Sequence, residues 1–245
     1  MKTSTIVAAF AALVLSTTVV LSQTFTFTAI PDEDASRLKA RFGKVGDYLS
    51  DKLGVTVRYV PVKSYAAAVT AFRNNQVQLA WFGGLSGVRA RGAVADSEAI
   101  AQGYEDQFFV TYFIAHAGTS LTESRNFPTG IKGRTFTFGS KGSTSGRLIP
   151  EFHIREQFGE APRKVFSRIG FSGDHSRTIA LVQSGAYQVG AVNFKVWDNE
   201  KAAGRIDPKK VRIIWRTPTY PDYQWTIRGD ADKRFGNGFK EKVRN

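Results

Sequence analysis

The run Arg134-Thr135-Phe136-Thr137-Phe138-Gly139-Ser140-Lys141-Gly142-Ser143-Thr144-Ser145-Gly146, continued by Arg147-Leu148-Ile149-Pro150, decides how this chain is read. Its first five residues alternate polar and apolar side chains, the period of a strand. The glycines, serines and threonine that follow form a loop, and the residues after Gly146 open a helix. Three hydroxyls and several backbone N–H groups then converge at a helix N-terminus, where unpaired donors and the positive end of the dipole favour an anion. Pro150 would break an interior turn, so a short first turn is expected, with the helix restarting near Pro150. Neither Gly139 nor Gly142 is followed at the required spacing by Gly-Lys-Ser/Thr, which excludes a Walker-type phosphate loop. Ser and Thr also cap helices whatever the function, so these residues alone leave an ordinary cap and an oxyanion pocket both open.

The same strand, loop and helix logic repeats on either side. Upstream, Thr24 to Ile30 alternates as a strand, Pro31-Asp32-Glu33-Asp34 makes a turn and N-cap, and Leu38, Phe42, Val45, Leu49 and Leu53 form one helical face ending at Gly54. Val55–Val62 returns to strand, Lys63-Ser64-Tyr65 opens a second helix, Asn74-Asn75 stops it, and Val77–Trp81 is the next strand, left through Phe82-Gly83-Gly84. Downstream the pattern gives strand 165–169, helix 175–183, strand 188–192 and helix 194–203. Repeated strand–helix–strand units imply an α/β fold with mainly parallel sheets covered on both faces. The long β-like runs 107–116 and 211–216 read as two crossing hinge strands between two lobes. Lobe 1 is then discontinuous, 23–107 with 217–245, and lobe 2 is 108–216. Ligands of such sheets sit beyond the carboxyl ends of the strands, which is where Tyr65 and the Trp81–Gly84 turn fall.

Composition narrows the classes. The chain has 245 residues with 42% hydrophobic side chains, enough for one large domain or two lobes with cores. Residues 1–22 carry Lys2, an apolar run from Ile6 to Val20 and the small-residue pattern Val20-Leu21-Ser22, which predicts a secretory signal peptide cleaved before Gln23. That run is interrupted by Ser16, Thr17 and Thr18 and falls short of the roughly 20 residues of a spanning helix. There is no cysteine, so neither a disulfide framework nor a cysteine-linked lipid anchor is available. A formal charge of +13 favours anionic partners. The excess basic residues after Lys201 are scattered among Asp and Gly without the aromatic-basic signature of a nucleic-acid binder.

Four motifs in order across both lobes carry a resemblance. They are Ala80-Trp81-Phe82-Gly83-Gly84-Leu85-Ser86, Ser143-Thr144-Ser145-Gly146 with Pro150 behind it, Gly173-Asp174-His175, and Thr217-Pro218 leading to Pro221-Asp222. From about Thr24 to its end the chain resembles the periplasmic substrate-binding proteins of ABC importers for phosphonate, phosphite and phosphate. Ala29-Ile30-Pro31-Asp32-Glu33-Asp34 and Tyr220-Pro221-Asp222-Tyr223-Gln224-Trp225 look nearest to the branch labelled selenate-binding proteins. Relatives usually continue through further C-terminal helix beyond the point where this chain stops.

The resemblance implies a two-lobed type II binding-protein fold and a soluble periplasmic monomer without cofactor, metal or nucleic-acid partner. It also implies a small oxyanion held between the lobes and handed to permease subunits at the membrane. Residue by residue it places Ser143, Thr144 and Ser145 on the ligand as donors, His175 as a neutral N–H donor at a helix start, Tyr65 as a hydroxyl reaching from lobe 1, and Asp222 as a carboxylate on the return crossing. Asp222 would accept a hydrogen bond only from a protonated oxyanion, which favours phosphite, phosphate or phosphonate over selenate or sulfate. Lys195 stands where phosphonate binders of the family carry an acid for an aminoalkyl group, and Phe82 where relatives often have Tyr. Lys195 is read as a solvated helix lysine, and Trp81, Phe108 and Phe109 as core or hinge packing.

Two other classes compete. A phosphate-ester enzyme needs a nucleophile with a base, or metal ligands; with no cysteine and three widely spaced histidines, His116, His153 and His175, the chain offers little for either. A salt-sensitive binder of polyanions is suggested only by the net charge.

Overall fold

The computed structural model describes residues 23–245, and the leader expected at 1–22 lies outside the described residues. In chain order the first half lays down β1 (Phe25–Ala29), α1 (Ala35–Leu53), β2 (Val57–Tyr59), α2 (Tyr65–Arg73), β3 (Leu79–Phe82), α3 (Gly84–Ala93) and β4 (Glu98–Ala101). The chain then crosses into β5 (Thr111–His116), β6 (Thr135–Phe138), α4 (Ile149–Phe158), α5 (Pro162–Val165), β7 (Arg168–Phe171), α6 (His175–Gln183), β8 (Val189–Asn193), α7 (Phe194–Ala202) and β9 (Val211–Arg216). It returns to β10 (Gln224–Ile227), α8 (Ala231–Phe235) and α9 (Phe239–Arg244). Two five-stranded sheets result, ordered β2-β1-β3-β10-β4 and β7-β6-β8-β5-β9.

Each sheet is parallel apart from one strand. β10 runs antiparallel between β3 and β4, and β5 runs antiparallel between β8 and β9. In both cases the reversed strand is the first one laid down after a crossing.

β1 shows why the period-two pattern matters. It is buried along its whole length. Phe25 and Phe27 pack with Leu38 and Phe42 of α1, while the Thr26 and Thr28 hydroxyls donate to the carbonyls of Gln76 and Val60 at 2.8 and 2.6 Å. The alternation therefore sorts an apolar buried face from one of satisfied hydroxyls. Asp34 caps α1 by accepting the N–H groups of Ser36 and Arg37, and Gly54 ends it in the left-handed conformation at φ 67°.

Several expected elements shift. Val55–Val62 shrinks to the three residues of β2, and the strand expected at 165–169 starts only at Arg168 because Pro162–Val165 forms a helical turn. α3 and β4 carry no pattern that singled them out: three glycines, Gly84, Gly87 and Gly92, dilute the helical face of α3.

The crossing is also built differently from the expectation. Residues 107–116 are not one strand. A 3₁₀ turn covers Tyr104–Phe108, and β5 begins at Thr111. β9 lies wholly in the second sheet beside β5. The two crossing segments are tied to each other by a bridge of two residues, Phe109 and Tyr220, each carbonyl accepting the other's N–H, at 2.8 and 3.0 Å. A pair this short holds two chains together while leaving the flanking dihedrals free, which suits a hinge.

Candidate functional site

The serine-threonine turn leaves the carboxyl end of β6. Ser143 starts it with an extended backbone and accepts the Gly146 N–H on its hydroxyl at 2.9 Å. Thr144–Leu148 then winds as a π-helical turn in which the Ile149 N–H reaches back five residues to the Thr144 carbonyl. Pro150 sits in the first turn of α4, where a missing N–H costs nothing, as its position in the sequence predicts. Gly146 must be glycine: a Cβ there would stand 2.9 Å from His175 Cε1 and 3.1 Å from the Gly139 Cα.

His175 opens α6 behind the Asp174 cap, and its backbone N–H donates to the Asp32 carbonyl of the other sheet's β1–α1 loop at 2.8 Å. Its Nδ1 accepts the Asn193 N–H at 3.3 Å, so the ring proton sits on Nε2, which lies 3.4 Å from the Ser145 hydroxyl. Burial pushes the imidazole down to about 3, so it is neutral. A fixed, uncharged N–H donor results.

Asp222 lies on the return crossing, with its N–H on the Asp106 carbonyl at 2.9 Å. Its Oδ1 accepts the Gly84 N–H at the start of α3, also at 2.9 Å. The Thr144 hydroxyl accepts the next N–H, of Leu85, at 3.0 Å. The N-terminus of α3 therefore meets a carboxylate and the serine-threonine turn together. Burial raises the Asp222 carboxyl to about 6.

Tyr65, the first residue of α2, comes in from the same lobe as α3. Gly142 presses on it, since a Cβ there would be 3.0 Å from the Tyr65 Cβ. Its hydroxyl is buried without a hydrogen-bond partner among the described residues, and burial followed by the charge of Asp32 holds it well above the ordinary phenol range. A buried unpaired hydroxyl is unfavourable by itself and marks a place for a partner.

All six residues singled out by sequence, Tyr65, Ser143, Thr144, Ser145, His175 and Asp222, thus lie at the junction of the lobes, each at most 5% exposed. Sequence reasoning missed those that tie them together. Tyr223 donates to Asp32 at 3.1 Å and accepts from the Asn193 amide at 3.0 Å, and its ring stacks on Trp81 at 4.1 Å. Thr111 donates to the Ser145 carbonyl at 3.0 Å. Asp32 reads locally as a turn residue, yet burial raises it to about 7, against the opposing pull of Arg41. No local pattern could have revealed these contacts, because each joins segments far apart in the chain.

Other expectations divide. Lys195 is not simply solvated; it pairs with Asp106 at 2.9 Å and Glu105 at 3.2 Å on the crossing segment. Phe82, Trp81 and Phe109 pack in the interior, but Phe108 is 54% exposed beside Tyr104. His116 accepts the Gly118 N–H, and His153 packs edge-on against Trp215. Among the described residues no cluster of three His, Cys, Asp or Glu could hold a metal ion, and no helix is long and apolar enough to cross a membrane.

Residues 27–245 match the family described as ABC transporter, phosphonate, periplasmic substrate-binding protein. This chain belongs to that family. Its members are binding components of ABC transporters rather than enzymes, which removes the phosphate-ester enzyme from consideration. The chain is 41% identical over 219 residues to the probable ABC transporter phosphite binding protein PhnD1 of Prochlorococcus marinus, spanning 89% of this chain and 74% of that protein. The solved structure of PhnD1 in complex with methylphosphonate is similar with a TM-score of 0.84 at 42% identity, covering 90% of this chain and 82% of that one. The phosphonates-binding periplasmic protein of Escherichia coli is 26% identical over 199 residues, 80% of this chain and 58% of its own length. The fold is accordingly the two-lobed α/β architecture of periplasmic binding proteins. Selenate is not among the ligands these relatives are named for.

Proposed function

We propose that this chain captures a tetrahedral oxyanion of the phosphite, phosphate or phosphonate class between its lobes and delivers it to the permease of an ABC importer. In this reading the lobes are 23–107 with 217–245, and 108–216. The mature protein starts at Gln23 and works as a periplasmic monomer. The hydroxyls and N–H groups of Ser143, Thr144 and Ser145 donate to the oxyanion, the His175 Nε2–H and the Tyr65 hydroxyl add two donors, and Asp222 accepts.

The observation that carries this is the buried Asp222 carboxylate set among donors. Hydrogen phosphate, phosphite and a monoprotonated phosphonate each bring one proton for it, whereas sulfate and selenate at neutral pH bring none and would face it as like charges. A site built on a proton donated by its ligand discriminates strongly, because the wrong ion leaves a buried acceptor unpaired.

Calorimetric titration tests this, using protein stripped of ligand by unfolding and refolding. Methylphosphonate, phosphite and phosphate should include at least one ion that binds with one-to-one stoichiometry, with sulfate and selenate weaker by about a hundredfold or more. Selenate binding as tightly as the best of the three would end this assignment.

A further inference from the structure

In the reading proposed above, the inner site holds an anion without a cation of its own. Its donors are hydroxyls, backbone N–H groups and a neutral imidazole, and Asp222 contributes a carboxylate. The cations bound into the same framework are already paired. Arg41 reaches Asp32 and Glu33, and Lys195 reaches Asp106 and Glu105. Helix dipoles fall off within the first turn. Such a site discriminates well at contact and attracts little from a distance.

Unpaired positive charge stands just outside it, on both lips of the cleft. Two adjoining grooves of about 510 and 410 Å³ open there, and both are lined by Arg89 of α3, in the first lobe, and Lys141 of the serine-threonine loop, in the second. Neither pairs with an acidic side chain among the described residues. Lys141 lies over the Phe171 ring at 5.2 Å, which places the ammonium without neutralising it. Arg147 and Arg155 line the smaller groove and share one carboxylate, Glu151, so four cations face one acid. Burial, and then the charges of Arg155 and Arg89, hold the Arg147 guanidinium below its ordinary range. The grooves meet the inner site at its seams. Tyr65 and Gly142 line the larger one, and a Cβ on Gly142 would stand 3.0 Å from the Tyr65 Cβ. Leu85 lines the smaller one and gives its N–H to the Thr144 hydroxyl at 3.0 Å. An anion passing from either groove to Asp222 crosses one of these contacts, which opening of the lobes removes.

We propose that Arg89 and Lys141 form an outer anion site, one residue on each lip, which collects a phosphonate-class oxyanion in the open protein before the lobes close over the inner site. The assignment rests on the reading of the inner site as an oxyanion site. Exposed cations attract at range and accept any small anion, protonated or not, so the outer site speeds loading without choosing the ion. The choice is left to Asp222. Once the lobes are shut the seams separate these charges from the bound ion, so they set its rate of entry and not its rate of escape.

The test is stopped-flow tryptophan fluorescence on protein stripped of ligand, with Trp81, stacked on Tyr223 at the junction of the lobes, as reporter. The probe is whichever of methylphosphonate, phosphite and phosphate binds tightest in the calorimeter. At low ionic strength Arg89→Gln and Lys141→Gln should each lower the association rate by about threefold and the double variant by about tenfold, with dissociation within about twofold of the unmodified protein. The double variant should also lose most of the salt dependence, its rate meeting that of the unmodified protein at about 0.5 M salt. Lys52→Gln, about 25 Å along α1 from its cleft end, removes the same charge elsewhere and should leave the rate unchanged. An unaltered association rate in the double variant would overturn the outer site. So would an equal loss from Lys52→Gln, which would assign the attraction to net charge, or a loss confined to dissociation, which would put these residues on the bound ion. If none of the three ions binds the unmodified protein, the oxyanion reading itself falls and the outer site with it.

Discussion

The Oδ1 of Asp222 accepts the backbone N–H of Gly84 at 2.9 Å, so a buried carboxylate on the return crossing is held by the first turn of a helix from the first lobe. One oxygen is committed to the helix, and the group retains further acceptor capacity for a ligand proton. Asp222→Asn keeps the shape and replaces part of that capacity with a donor. Affinity for methylphosphonate should fall by about 1.5–3 kcal/mol, roughly tenfold to a hundredfold, measured by calorimetry. Sulfate, which brings no proton, should gain relative to it. Equal losses for both ions would mean that Asp222 supports the fold and not the choice of ligand.

Tyr65 separates ligand binding from stability in a different way. Its buried hydroxyl has no partner among the described residues, so removing it should cost the ligand-free protein nothing. Tyr65→Phe is expected to keep or raise the melting temperature while weakening ligand binding by about tenfold. A variant that is less stable and binds normally would contradict the role given to this hydroxyl.

Gly146 is the point at which the turn approaches two other segments. A methyl group there meets His175 Cε1 at 2.9 Å and the Gly139 Cα at 3.1 Å together, so the turn or its neighbours must shift to admit it. Gly146→Ala should destabilise the protein by about 1–3 kcal/mol, read from denaturant unfolding. Gly43, where an added methyl would meet nothing within 4 Å, should accept alanine without such a loss.

The dependence of stability on pH follows from three buried groups. Asp32 is raised from 3.8 to about 7 and Asp222 from 3.8 to about 6, in both cases mainly by burial. The folded state therefore keeps protons that the unfolded state has released, and stability falls as the pH rises from about 4 toward 7. His175 acts in the opposite sense. Lowered from 6.5 to about 3, it stays neutral while the unfolded chain takes up a proton, so its contribution is lost as the pH falls below about 6.5. With two carboxyls against one imidazole, the ligand-free protein should lose stability as the pH rises from about 4 to about 6. Asp32→Asn should flatten that slope and melt higher than the unmodified protein at about pH 8. A scanning-calorimetry series showing the same slope in both proteins would refute it.

Closure has its own handle in Arg37. From α1 it donates to Ser176 at 2.9 Å and pairs with Glu200 across the lobes, while also holding Glu33 on its own side at 3.0 Å. Glu200 keeps Arg205 if Arg37 is lost. Arg37→Ala should therefore leave the fold intact and weaken ligand binding by a few-fold, with closure of the scattering envelope reached only at higher methylphosphonate concentration. An unchanged titration would show that the pair is incidental to closing.

The sequence by itself determined most of the alternating strands and helices and the strand–loop–helix setting of the serine-threonine turn, and the family resemblance carried by its motifs pointed to the six polar residues around it. The elements are written in local periodicity and in capping residues such as Asp34 and Asp174, whereas the six polar residues were legible only through motifs shared with the family. Tertiary structure alone decided that Asp32, Tyr223 and Asn193 would join them, that the crossing segments would meet at the Phe109–Tyr220 bridge and not run as two long strands, and that Lys195 would pair with Asp106. Each of these is a contact between segments distant along the chain. Hydrogen bonds and desolvation at such contacts depend on where the sheets place the segments, and no local pattern encodes that placement.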